Sequence, residues 1–156
     1  MRRIRIVIPV RLGYGRVMSH EELPIFELGF PGPLRDQLVA AVLSGAKTST
    51  SALAIDYETE GSPLPEPGER AVLIDSDARP VALIEMTEVR VVRVGDCDLQ
   101  HAIDEGEGFT TVAEWRRDHE KFWHGDEVRE ELGDPEFTIT DDTLMVAQRF
   151  RVVSLL

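Results

Sequence analysis

Lys47, Thr48, Ser49 and Thr50 place one amine and three hydroxyls at consecutive positions in a chain whose net charge is −12. A lysine at the mouth of an apolar pocket has its charged form disfavoured and can move a proton near neutral pH. Kept charged, it can instead hold an oxyanion or a phosphate. Thr50 offers a hydroxyl that needs a neighbouring base to act as a nucleophile, and Lys47 is the nearest candidate. Thr48 is the candidate substrate contact between them. Each residue also has a plain structural reading. A lysine past a helix end is drawn there by the helix dipole, and a threonine opening a strand often bonds local backbone.

A carboxylate partner is expected from Glu105-Gly106-Glu107-Gly108, whose glycines let the loop approach another surface closely. Glu107 is expected to face Lys47 as an acid/base group, unless it merely complements the helix that follows. Glu105 competes for that role and is otherwise a substrate contact. Trp115 is expected in the core or as a pocket wall on which a base can stack. His119, on the same aromatic stripe, reads as a packing histidine. His101, His119 and His124 lack metal-ligand spacing, so neither a metal nor a cofactor is implied. The chain has no GxGxxG, GxSxG or HExxH motif, and Gly45 to Thr50 lacks the glycines of a phosphate loop.

These residues need rigid supports. Pro33 suits a first helical turn, and Leu34, Leu38, Ala41 and Val42 recur with helical period, which predicts a helix over 33–44. Gly45 stops it, and Lys47 leaves the helix end just before a strand. Leu53, Ile55 and Tyr57 alternate with Ala52, Ala54 and Asp56, so that strand is expected to continue through them. Residues 58–69 form a proline- and glycine-rich loop. Strands are predicted over 70–75 and 80–94, the second with a bulge near Met86-Thr87-Glu88. A short helix is predicted over 98–105. Thr111 with Glu114 forms a capping box that starts a better helix, with Val112, Trp115, His119 and Phe122 on one face. Residues 124–142 are acidic and irregular, and a last strand runs over about 143–153, with Val146, Gln148, Phe150 and Val152 on one face.

With 156 residues, the chain is long enough for one core. It contains no apolar run long enough to span a bilayer. Cys97 is its single cysteine and reads as a half-buried thiol, and the composition suits a reducing cytoplasm. The acidic balance argues for weak non-specific binding to nucleic-acid backbones, which lysine and arginine normally drive. Residues 1–17 carry five arginines and no acid. They read as an edge strand (Ile4, Ile6, Ile8 and Val10), a basic tail, or a misplaced start ahead of Met18. The last is preferred, leaving 18–156 as the single domain.

The spacing Gly45-x-Lys47-x-x-Thr50 resembles the signature of the ASCH domain, the activating-signal-cointegrator homology family. The resemblance extends over about residues 24–153. It takes in Phe26 to Leu34, Pro65 to Gly68, the 80–94 strand, Glu105 to Gly108, the helix around Trp115 and Trp123, and Arg149 to Val153. It implies an α+β fold, a small PUA-like β-barrel of five to six strands with two to three packed helices. Bacterial ASCH proteins include amidohydrolases that remove the acetyl group from 4-acetylcytidine. The resemblance carries their Lys, Thr and Glu onto Lys47, Thr50 and Glu107. Other members are ribonucleases or are inferred to bind RNA. Two departures bear on the substrate: Ser51-Ala52-Leu53 replaces a run in which an arginine often follows the motif, and 124–142 is an added segment. The expected function is hydrolysis of an acylated nucleoside in a nucleoside-sized pocket. The alternative is a module that binds RNA or a nucleotide without chemistry.

Overall fold

The structure, a computed structural model, describes residues 22–156. The strand, tail and misplaced-start readings of 1–17 lie outside the described residues. A two-residue strand β1 (Ile25–Phe26) leads to helix α1 (Pro33–Ser44), strand β2 (Ser49–Leu53) and helix α2 (Ala54–Glu60). Strands β3 (Arg70–Ile74) and β4 (Pro80–Arg93) follow, then helices α3 (Leu99–Asp104), α4 (Val112–Trp123) and α5 (Asp126–Leu132), and strand β5 (Leu144–Leu155). The strands form one mixed sheet in the order β1-β3-β4-β5-β2. Among the described strands only β1 and β3 pair in parallel. The domain is α+β with five strands, as expected, but with five α-helices among the described residues rather than two or three.

The extra helices are α2 and α5. Alternation at Leu53, Ile55 and Tyr57 fits a strand, yet the strand stops at Leu53. Ala54 to Glu60 coil instead and end at Gly61, which is left-handed at φ 66°. Over so few residues a period of two and a helical turn are hard to distinguish, and alanine and glutamate favour the helix. Tyr57 is buried, and its hydroxyl accepts from the Gln148 side chain at 3.2 Å, which ties α2 to β5. In the acidic segment, α5 buries Val128 and closes on Gly133.

Other elements lie where their chemistry puts them. α1 has Pro33 in its first turn and a left-handed Gly45 at its end, φ 85°, whose N–H donates to Val42 O. It buries Leu38, Val39 and Val42, and also Arg35, whose guanidinium donates to the carbonyls of Leu28 and Gly29 at 3.1 and 2.8 Å. Those bonds hold the lead-in segment against α1. The Thr111 hydroxyl accepts from Glu114 N–H, as a helix cap should, while the Glu114 carboxylate reaches back to Thr110 N–H. The register of β4 against β5 slips between Met86 and Glu88, where the bulge is expected.

Alternate residues of β5 feed two large cores, and Val146 packs with Ala52 and Tyr57 in a smaller third cluster. Phe150 joins Phe26, Leu38, Val42, Leu73 and Ile84 beneath α1. Met145 and Ala147 join Leu53, Trp115, Trp123, Val128 and Ile139 beneath α4 and α5. The junction from α1 to β2 borders both cores, and it carries Lys47. No helix among the described residues is long and apolar enough to cross a membrane.

Candidate active site

Lys47 is placed from both sides. Its N–H donates to Ala41 O at 3.0 Å, which extends the end of α1, and Thr48 N–H donates to Asp104 O at 2.8 Å, which ties the segment to α3. The side chain turns inward and is 2 % exposed. Its Nζ donates to the carbonyl oxygen of Glu105 at 3.2 Å and lies 3.9 Å from Glu105 Oε1.

Glu105, and not Glu107, is therefore the residue that grips Lys47. Its other oxygen, Oε2, accepts from the Trp115 indole N–H and faces His119 Nε2 at 3.2 Å. His119 Nδ1 donates to the Trp115 carbonyl at 2.8 Å, since a carbonyl can only accept. Both imidazole nitrogens thus face acceptors, which is the arrangement of an imidazolium. Burial opposes the charge on Glu105, but His119, its hydrogen bond and Lys47 outweigh it and hold the carboxyl at about 2. Burial likewise opposes the charge on His119, and Glu105 outweighs it and raises the pKa. Sequence spacing missed this role for His119. The signal was there in the four-residue step from Trp115, which stacks the two rings at 4.4 Å.

The loop can come this close because of Gly106. Its φ is +72°, and a Cβ there would lie 2.6 Å from Ala46 O and 2.7 Å from Lys47 Cα. The expected close approach by glycine is thus realised at Gly106, while the space beside Gly108 is open.

Lys47, Thr50, Ser51, Glu105, Glu107 and His119 line one cavity of about 50 Å³, with Leu34, Leu38, Phe122 and Trp123 as apolar walls and Asp118 also lining it. Burial raises the pKa of Glu107, partly offset by Lys47. Thr50 is therefore beside Lys47 at the cavity, as is Glu107. Thr48 is not among the lining residues; its backbone is spent on Asp104 and Phe150. Trp115 is fully enclosed, so it supports Glu105 from beneath and presents no face for a base to stack on.

The cavity is smaller than the nucleoside-sized pocket expected. Sites for drug-sized ligands run on the order of 300–1,000 Å³, so about 50 Å³ admits a small functional group. An adjoining cleft of about 260 Å³ shares Leu34, Leu38, Glu107 and Asp118 with it and adds Gln37, Ala41 and Phe109.

One atom each of Glu105, Glu107 and His119 lies within 4.8 Å of the others, a grouping with the donors to hold a metal ion. Glu105 is already committed to Lys47, Trp115 and His119, so a cation there would compete with two basic side chains. Cys97 is buried, and burial pushes its thiol up to about 12, which leaves it unreactive.

The coupled pair sets a pH dependence. The raised pKa of His119 means that its contribution to stability is complete below the ordinary histidine range and is lost as pH rises through the raised value. The lowered pKa of Glu105 means that its contribution is lost only as pH falls towards about 2. Above the ordinary histidine range the melting temperature is therefore expected to fall with rising pH, and Glu105→Gln should flatten that slope. Equal slopes in thermal melts of the two proteins would contradict the pairing.

A mixed-sheet α+β domain with a lysine–glutamate–histidine cluster at a helix-to-strand junction is the class that this architecture defines. The ASCH domain model matches residues 27–154, and the chain belongs to the ASCH-domain family. No curated protein matches significantly. Among solved structures, a protein of the DUF984 family from Enterococcus faecalis V583 is 28 % identical with a TM-score of 0.71, covering 83 % of this chain and 75 % of that one. An ASCH domain from Lactobacillus crispatus JV V101 is also 28 % identical, with a TM-score of 0.66 and coverage of 76 % and 72 %.

Proposed function

We propose that this ASCH-domain protein is an amidohydrolase that removes the acyl group from an acylated nucleoside such as 4-acetylcytidine. The observation that carries the reading is Lys47: a lysine 2 % exposed, gripped by Glu105, at a cavity shared with Thr50 and Glu107. A structural lysine would have no need of a hydroxyl and a second carboxyl on the same small cavity.

In this reading the acyl group enters the cavity, and the base and sugar lie in the adjoining cleft beside Leu34, Gln37 and Phe109. The Thr50 hydroxyl attacks the acyl carbon, or orients a water that does. Acting as the free amine, Lys47 takes the proton from the attacking oxygen and, now an ammonium held by Glu105, returns that proton to the exocyclic nitrogen as the C–N bond breaks. Glu105 fixes the Lys47 amine. Glu107, whose raised pKa lets it keep a proton closer to neutrality, assists the departing amine. If Thr50 is the nucleophile, water then releases the acyl group as a carboxylic acid and restores the hydroxyl.

Charge argues for a neutral ligand over RNA. Glu107 and Asp118 stand at both the cavity and the cleft, and the whole chain is acidic. A phosphate brought there meets carboxylates rather than the basic groove that backbone recognition needs. The test compares 4-acetylcytidine with its 5′-monophosphate as substrates. Faster release from the free nucleoside is expected; equal release from both would remove the charge argument, and release from neither would remove the function.

A further inference from the structure

Behind the cavity, β2 and α3 are joined through a histidine that the proposed reaction does not use. The Asp98 side chain caps α3 by accepting from His101 N–H at 2.7 Å. Ser49 Oγ donates to the His101 carbonyl at 2.9 Å, fastening the helix to the strand. The His101 ring is 1 % exposed, and its Nε2 lies 2.7 Å from Ser51 Oγ. Ser51 lines the cavity beside Lys47 and Thr50. The other ring nitrogen, Nδ1, is enclosed and has no hydrogen-bond partner among the described residues.

A serine and a histidine at this distance suggest a nucleophile and its base, but the far side of the ring argues otherwise. For His101 to take the Ser51 proton on Nε2, its own proton must sit on Nδ1. That would bury an N–H with nothing to accept it, a costly defect. A serine hydrolase meets this need with a carboxylate that accepts from Nδ1. Here the carboxylates nearby in sequence are spent elsewhere: Asp98 on the His101 backbone N–H and Arg90, Asp104 on Gln100 and Arg149, and Glu105 on Lys47, Trp115 and His119. The opposite tautomer leaves only an unpaired lone pair on Nδ1. Burial also lowers the His101 pKa, which favours the neutral ring that has a single proton to place.

We propose that His101 carries its proton on Nε2, donates it to Ser51 Oγ, and so turns the Ser51 hydroxyl hydrogen into the cavity as a donor to the carbonyl oxygen of the ligand's acyl group. Ser51 is then a catalytic residue and His101 a positioning residue. This role rests on the amidohydrolase reading. It gives that reading a neutral donor for the oxygen on which negative charge develops, separate from the groups that move protons. It also gives the site a preference for the acylated ligand over the deacylated product, which lacks the acyl carbonyl.

The first test is a long-range ¹H–¹⁵N spectrum of the full-length wild-type protein with labelled histidine, near neutral pH. A protonated Nε2 and an unprotonated Nδ1 are expected for His101; a protonated Nδ1 would overturn the proposal. The second uses 4-acetylcytidine with Ser51→Ala and Ser51→Thr, each checked for folding by its melting transition. Losing one such donor costs about 10²-fold in kcat, so Ser51→Ala should fall by about that factor with KM little changed, and Ser51→Thr should recover much of the loss. A folded Ser51→Ala with undiminished kcat would overturn the catalytic role. A wild type inert towards 4-acetylcytidine would remove the amidohydrolase reading and that role with it, while the spectrum still decides where the proton sits.

Discussion

Lys47→Ala is expected to reduce deacylation by at least about 10³-fold, since it removes the group that moves the proton in both directions. It is also expected to destabilise the domain. Lys47 and Glu105 are each 2 % exposed in their side chains, and deleting one partner of such a pair leaves the other charge buried and uncompensated. Losses of this kind run to about 3–5 kcal/mol, a large share of the roughly 5–15 kcal/mol that holds a domain folded. His119 remains as a partner for Glu105 and keeps the loss at the lower end. The two effects can be separated. Lys47→Met combined with Glu105→Gln removes both charges, so its melting temperature should recover towards wild type while its activity stays lost. A double variant that regained turnover would show that Lys47 serves structure alone.

Gly106→Ala should be the most disruptive change that deletes no functional group. The new methyl would meet backbone atoms of Ala46 and Lys47 at 2.6 and 2.7 Å, at a φ of +72° that side chains resist. Backbone cannot rotate away as a flexible side chain does, so the α3–α4 loop must withdraw from the α1–β2 junction. That carries Glu105 off Lys47 and opens the cavity. The expected cost is about 2–4 kcal/mol of stability, together with loss of activity even where the variant still folds. Gly108→Ala is the control. It is also left-handed, at φ 88°, but no atom lies within 4 Å of the added carbon, so only the backbone cost of about 1 kcal/mol applies. Thermal melts showing equal losses for the two would contradict the close-approach argument.

The parts of the fold and site that were legible in the sequence are those governed by local chemistry. Pro33 and Gly45 bracket α1 because each constrains its own backbone, and Thr111 caps α4 through a bond to a residue three positions on. Lys47 could be singled out because the helix stop and the strand start sit on either side of it. What was illegible depends on direction or distance. Glu105 and Glu107 are equivalent in composition and spacing; the chain reversal at Gly106 decides which one faces Lys47. Ser51 and His101 are 50 residues apart and meet only because α3 packs against β2. The size of the cavity depends on how far Leu34 and Phe122 close over it, and a one-dimensional pattern contains no volume. α2 was lost for a different reason, since its few residues satisfy two periodicities and tertiary packing at Tyr57 chose between them.

The most direct test of the Lys47-centred site is a mass-spectrometric assay of the purified protein with 4-acetylcytidine beside Lys47→Ala. Cytidine and acetate are expected from the wild type and neither above background from the variant. Absence of both products at stoichiometric enzyme, or equal amounts from the two proteins, would contradict that expectation.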